Sequence, residues 1–206
     1  MRDVIGQVLR EFCCGFVRDP YLCYTEHGQH ALFFTTLLSA IPEPERYATW
    51  SGEKVCVVQK EYPTAANLGK PQRQHWDVAV LKLPLASKLK GARAYDFFRL
   101  EAAIEFGMNE RREHLADDIQ RLSHPDSNVE YGFLVHLYRL SERTSLFSGR
   151  DWSPTSARII TKEEIAALVQ GKPVEVFYAM CDRTGSHENG VWVIDSDRGN
   201  TELACA

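Results

Sequence analysis

The sequence predicts an α/β fold, a mixed central sheet flanked by helices, in a single domain over residues 1–206. Three observations carry this reading. Apolar residues recur at steps of three and four in three stretches, the spacing of one helix face, and a capping box opens a fourth helix. Between them lie short apolar runs bounded by Pro and Gly, the mark of strands. The order is helix, helix, three strands, helix, strand, helix, two strands; the first three strands can form an antiparallel meander, and a helix returns the chain to the fourth.

Val4, Val8, Phe12 and Phe16 stand at steps of four and predict a helix over Asp3–Phe16, closed by Asp19-Pro20. Thr25 then serves as N-cap of a second helix, with Glu26 in its first turn and Ile41-Pro42 at its end. From Lys54 the period changes: KVCVVQKEY reads as one strand, ended by Pro63 and followed by the polar loop TAANLGKPQRQ. WDVAVLKL (Trp76–Leu83) and FFRLEAAIEF (Phe97–Phe106) are the next two strands. Asn109 opens a helical run through Leu115, Ile119 and Leu122 that stops at Pro125. VEYGFLVHLYRL (Val129–Leu140) has the continuous apolar character of a strand buried on both faces. A Ser-rich loop follows, in which Phe147 and Trp152 either stack on bases or anchor the loop to the core. Thr161 and Glu164 form the capping box of KEEIAALVQ, ended by Gly171. VEVFYAM and VWVID, joined by TGSHENG, complete the chain as a hairpin.

Composition bounds the function. The chain has 206 residues, 44% hydrophobic and 25% charged, enough apolar content for one core. A net charge of −4 gives no global basic field, so any nucleic-acid surface must be local. The longest apolar stretch, Ala31–Ile41, is too short to span a bilayer, so no membrane partner is expected. Charges interrupt any N-terminal signal core, and the six cysteines form no CxxC pair; reduced thiols and a cytoplasmic location are the expectation. No nucleotide-binding glycine motif is present. Neither a CxxC nor a second His pair accompanies His27 and His30, so the spacing supplies only a weak zinc pattern.

The informative acids share faces with apolar neighbours. In RLEAAIEFGMN, Glu101 and Glu105 point to one side of a strand. Asp77 opens an otherwise apolar strand, where burial without a partner is costly. Glu26, His30, Phe33 and Leu37 lie four, three and four apart, which turns Glu26 toward the sheet. A hard cation such as Mg²⁺ is a natural partner for carboxylates so placed.

This pattern resembles the PD-(D/E)XK, or restriction-endonuclease-like, nuclease superfamily. Glu26 in TEHGQHALF matches the family's helix acid, Asp77 in WDVAVL its metal-binding Asp, and Glu105 in AAIEFGMN its Glu. EHLADDIQRLS and YGFLVHLYRL resemble the helix and strand that follow the motif, so the nuclease-like core covers about 25–140, with the C-terminal helix and hairpin at 161–197 appended. The resemblance implies a restriction-endonuclease-like core and a Mg²⁺- or Mn²⁺-dependent endonuclease acting on DNA, or on RNA, in DNA processing or defence. It implies metal ligation by Asp77, Glu105, the Phe106 carbonyl and Glu26. A homo-oligomer or larger complex is compatible with it. The chain departs from the family at the lysine position, where Gly107 stands. Lys60, on the neighbouring strand, is the expected replacement cation, with Arg111 and Arg112 as alternatives; Asn109 and His114 are further candidates to hold water or phosphate. Lys82, Lys88, Lys90, Arg93 and Arg99, set against the single acid Asp96, form the stretch expected to contact the nucleic-acid backbone. A catalytically inactive relative that binds nucleic acid or serves in an assembly is the second reading.

Overall fold

The computed structural model describes residues 1–141 and 159–205. Phe147 and Trp152 lie outside the described residues. The chain builds a mixed α/β architecture around a seven-stranded sheet whose strands lie side by side in chain order, with four α-helices and a small separate hairpin among the described residues. Strands β3 (Val58–Pro63), β4 (His75–Leu81) and β5 (Leu100–Met108) form the expected antiparallel meander. Helix α3 (Arg112–Leu122) carries the chain across to β6 (Val129–Leu140), which runs parallel to β5. Helix α4 (Lys162–Val169) precedes β7 (Val174–Asp182), parallel to β6, and β8 (Gly190–Asp195) and β9 (Gly199–Leu203) close the sheet antiparallel.

Each face of the sheet buries its own core. Helix α1 (Arg2–Arg18) sets Ile5, Val8, Leu9, Phe12 and Phe16 beside Phe33 and Leu37 of α2 (Glu26–Ala40), against Val78, Ile104, Phe106 and Val135. On the opposite face Leu115, Ile119 and Leu122 of α3 and Ile165 and Val169 of α4 cover Ala79, Ala103, Leu134 and Val176. Strands covered on both faces have no solvated side to mark with polar residues, which is why β7 is buried throughout. Thr25 accepts the Gly28 amide at 3.0 Å as N-cap, and Thr161 and Glu164 make the reciprocal capping box.

Several boundaries differ from the sequence expectation. The run Lys54–Tyr62 is two strands: β2 (Glu53–Cys56) pairs with β1 (Tyr47–Trp50) in a separate hairpin, and β3 begins only at Val58. Ser51 and Gly52 turn that hairpin with φ of +51° and +86°, both left-handed, as a two-residue turn matched to strand twist requires. The third strand starts at Leu100, because Ala94–Phe97 forms a short 3₁₀ turn, and it extends past Phe106 to Met108. Helix α3 begins at Arg112, since Asn109 stands at φ +57° and cannot continue into a helix. Strand β9 was not expected. The six thiols are not all reduced: Cys14 of α1 is disulfide-bonded to Cys205 beyond β9, across 191 residues of sequence. Spacing rules detect local pairs, and this pair is made only by folding. No helix among the described residues is long and apolar enough to cross a membrane.

Candidate active site

Strands β4 and β5 stay paired from Leu81↔Leu100 to Val78↔Ile104 and then part, while β4 continues beside β3 through Trp76↔Tyr62. Beyond the parting point, the amides of Phe106 and Met108 face the side that β4 has left. Carboxylates occupy both: Asp77 Oδ2 accepts the Phe106 N–H at 2.8 Å, and Glu26 Oε2 accepts the Met108 N–H at 2.9 Å. Backbone donors that lose a strand partner need another acceptor, and here two acids from different elements supply it. By strand alternation the Phe106 carbonyl opens to the same side as its amide.

Glu105 is buried on the α3 side of the sheet and accepts Arg121 Nη2 at 2.6 Å on Oε1. The same nitrogen lies 2.7 Å from Asp118 Oδ1, and the guanidinium stands 5.5 Å from the centre of the Trp76 ring. Burial, followed by the Asp77 charge, holds the Glu105 carboxyl well above the usual carboxylate range, against the pull of Arg121. Burial likewise pushes Asp118 up to about 6, opposed by its bond to Arg121. Glu26 is raised by burial, which outweighs the Met108 amide, with Glu110 and Asp77 adding repulsion.

Asp77 thus stands between Glu26 on one side and Glu105 and Asp118 on the other, repelling each of them, and Arg121 is the cation on the Glu105–Asp118 side. Without a further cation, protonation of Glu105 relieves the repulsion. The donors are carboxylate and carbonyl oxygens, the set that suits Mg²⁺ or Mn²⁺. The oxygen chemistry is of the kind a hard divalent ion takes, while among the described residues no three of these acids bring their carboxylate oxygens within 4.8 Å of one another.

The sequence-derived candidates fall into two groups. Asp77, Glu105, Glu26 and Phe106 are brought together. Glu101, four residues from Glu105, interacts with Lys82 at the other end of the strand. Lys60 pairs with Val78 beside Asp77 on the α1–α2 face, where its charge acts on His30, and its ion pair is with Glu61 at 3.3 Å. Asn109 accepts the Arg139 amide at 2.8 Å and is buried, and His114 is exposed beside Glu110. Lys82 and Arg99 meet where β4 ends and β5 begins, opposite the acids, and Lys82 is paired with Glu130. Lys88, Lys90 and Arg93 are exposed on the connection between them.

The sequence reading missed Asp118, Arg121 and the role of His30. Asp118 and Arg121 sit at i and i+3 in EHLADDIQRL, beside the apolar Leu115–Ile119–Leu122 row, a flank that marks half-buried charges. His30 is fully buried, and its Nδ1 stands 3.7 Å from Asp77 Oδ1. Compared with protein-family models, curated proteins and solved structures, the chain finds no match.

Proposed function

We propose that the protein is a metal-dependent nuclease of the PD-(D/E)XK type that hydrolyses phosphodiester bonds in DNA. The observation that supports this reading is that Asp77 of β4 and Glu26 of α2 both accept amides of β5 just beyond Glu105, where β4 parts from β5. The order helix, antiparallel meander, crossover helix and parallel strand around these acids agrees with the family's core.

Asp77, Glu105, Glu26 and the Phe106 carbonyl would hold Mg²⁺ or Mn²⁺. Such an ion supplies an acidified water at neutral pH and offsets charge on the phosphate and leaving oxygen. The protein's own groups do the positioning. The Phe106 amide fixes Asp77 by Oδ2, the Met108 amide fixes Glu26, and Arg121 fixes Glu105 by Oε1. Arg121 is also the cation on the carboxylates, so it replaces the missing lysine in charge while acting through Glu105 as a positioning residue.

One observation favours the second reading, an inactive relative that binds nucleic acid. A Cβ at Gly107 would stand 3.2 Å from both Glu110 Cγ and His136 Nδ1, so a side chain at the lysine position would press on both neighbours. A cleavage assay on single-stranded and double-stranded DNA and on RNA with Mg²⁺ or Mn²⁺ separates the two. DNA cleavage that Asp77→Ala abolishes supports the nuclease. Cleavage indifferent to Asp77→Ala overturns the site, and metal-independent DNA binding without cleavage assigns the protein to the second class.

A further inference from the structure

Beside the carboxylate cluster, on the other side of Asp77, lies a group of different chemistry. His27 and His30 of α2 and Glu61 of β3 each offer a ligand atom, and these atoms all lie within 4.8 Å of one another. His27 Nδ1 faces His30 Nε2 at 2.9 Å. The i, i+3 spacing sets both rings on one helix face, and Glu61 reaches them from the adjoining edge strand. The other nitrogen of His30, Nδ1, is buried without a hydrogen-bond partner, and the nearest acid oxygen is Asp77 Oδ1 at 3.7 Å.

We propose that His27 Nδ1, His30 Nε2 and a Glu61 oxygen form a binding site for a transition-metal ion of the Zn²⁺ or Co²⁺ class, distinct from the oxygen-only cluster. Two imidazole nitrogens and a carboxylate select borderline metals over Mg²⁺, which prefers oxygen. The orphaned Nδ1 has a place in this arrangement. An imidazole that binds metal through one nitrogen commonly directs the N–H of the other at a carboxylate, which fixes its tautomer and orientation. With Nε2 on the metal, the His30 Nδ1–H is aimed at Asp77, and the bound ion couples to the acid at the centre of the candidate active site. Lys60 Nζ, 3.3 Å from Glu61 Oε1, is the competing cation. Glu61 and His27 are exposed, so an ion from solvent has a route to them.

The test is titration of the full chain with Co²⁺ and Zn²⁺, by calorimetry and by the visible absorption of Co²⁺. His30 is buried and its variants risk misfolding, so the informative changes are His27→Ala and Glu61→Ala on the surface. With excess Mg²⁺ present to occupy the oxygen cluster, one Co²⁺ per chain is expected, displaced by Zn²⁺, retained in Glu105→Gln, and weakened at least about tenfold by each surface variant. The proposal is overturned if no Co²⁺ binds, or if binding survives His27→Ala and is lost in Glu105→Gln, which would place the ion in the carboxylate cluster. Because the readout is binding, it stands or falls separately from any nuclease activity.

Discussion

Asp77 Oδ2 accepts the Phe106 amide at 2.8 Å where β4 and β5 separate, so one carboxylate both ends the strand pairing and faces the acids around Glu105. Asp77→Asn keeps a carbonyl acceptor for that amide and removes a charge that Glu105 opposes. The variant is expected to be as stable as the parent, or more so by about 1 kcal/mol, as is common where function maintains repulsion. Its affinity for Mn²⁺ is expected to fall at least about tenfold. Thermal unfolding and calorimetric titration, run on the same preparations, check both halves.

Arg121 is the counter-charge of buried Glu105 and half-buried Asp118. Arg121→Met leaves Glu105 and Asp118 without it and is expected to cost roughly 3 kcal/mol in urea unfolding. Adding Glu105→Gln should return part of that loss, because the remaining partner is then neutral. If the double variant is no more stable than Arg121→Met, Arg121 serves chiefly as packing against Trp76.

His136 supplies a pH dependence. Its ring is buried beside Tyr138 and Tyr178, its Nε2 has no hydrogen-bond partner, and burial pushes its pKa down to about 3. Between that value and the ordinary 6.5 the unfolded chain binds a proton that the folded chain refuses. The His136 contribution is therefore whole above pH 6.5 and declines as pH falls, by up to about 1.4 kcal/mol per pH unit. Unfolding curves from pH 7 to pH 4 should be steeper in pH for the parent than for His136→Phe. Equal slopes would show that the ring takes up its proton in the fold.

The Cys14–Cys205 disulfide ties the segment after β9 to the first helix. Cys205→Ser, or reduction of the parent, is expected to lower stability by roughly 2–4 kcal/mol through the freedom returned to the unfolded chain. Urea unfolding with and without reductant checks this, since reductant should leave the Cys205→Ser variant unchanged.

Much of the site was legible because it is written in local patterns. The i, i+4 spacing of Glu26 and His30 on an apolar helix face, an aspartate at the head of WDVAVL, and alternation through AAIEF each point an acid inward from a few neighbouring residues. The errors arose where distant parts decide. Lys60 stands on β3, beside the strand of Asp77 and one strand removed from that of Glu105, and only the three-dimensional packing of α3 brings Arg121 to Glu105. KVCVVQKEY looks like one strand because its apolar pattern is continuous, whereas pairing with Tyr47–Trp50 claims its first half.

The sequence by itself determined the α/β class, the strand–helix–strand crossover and the acids at strand and helix ends, since side-chain periodicity and capping are properties of short segments. Tertiary structure alone decided the parting of β4 from β5, the tight approach of Glu110 and His136 to Gly107, the Arg121 counter-charge and the Cys14–Cys205 link. Each of these depends on which residues meet after long stretches of chain have folded, and Coulomb repulsion and steric exclusion act on that spatial proximity whatever the separation in sequence.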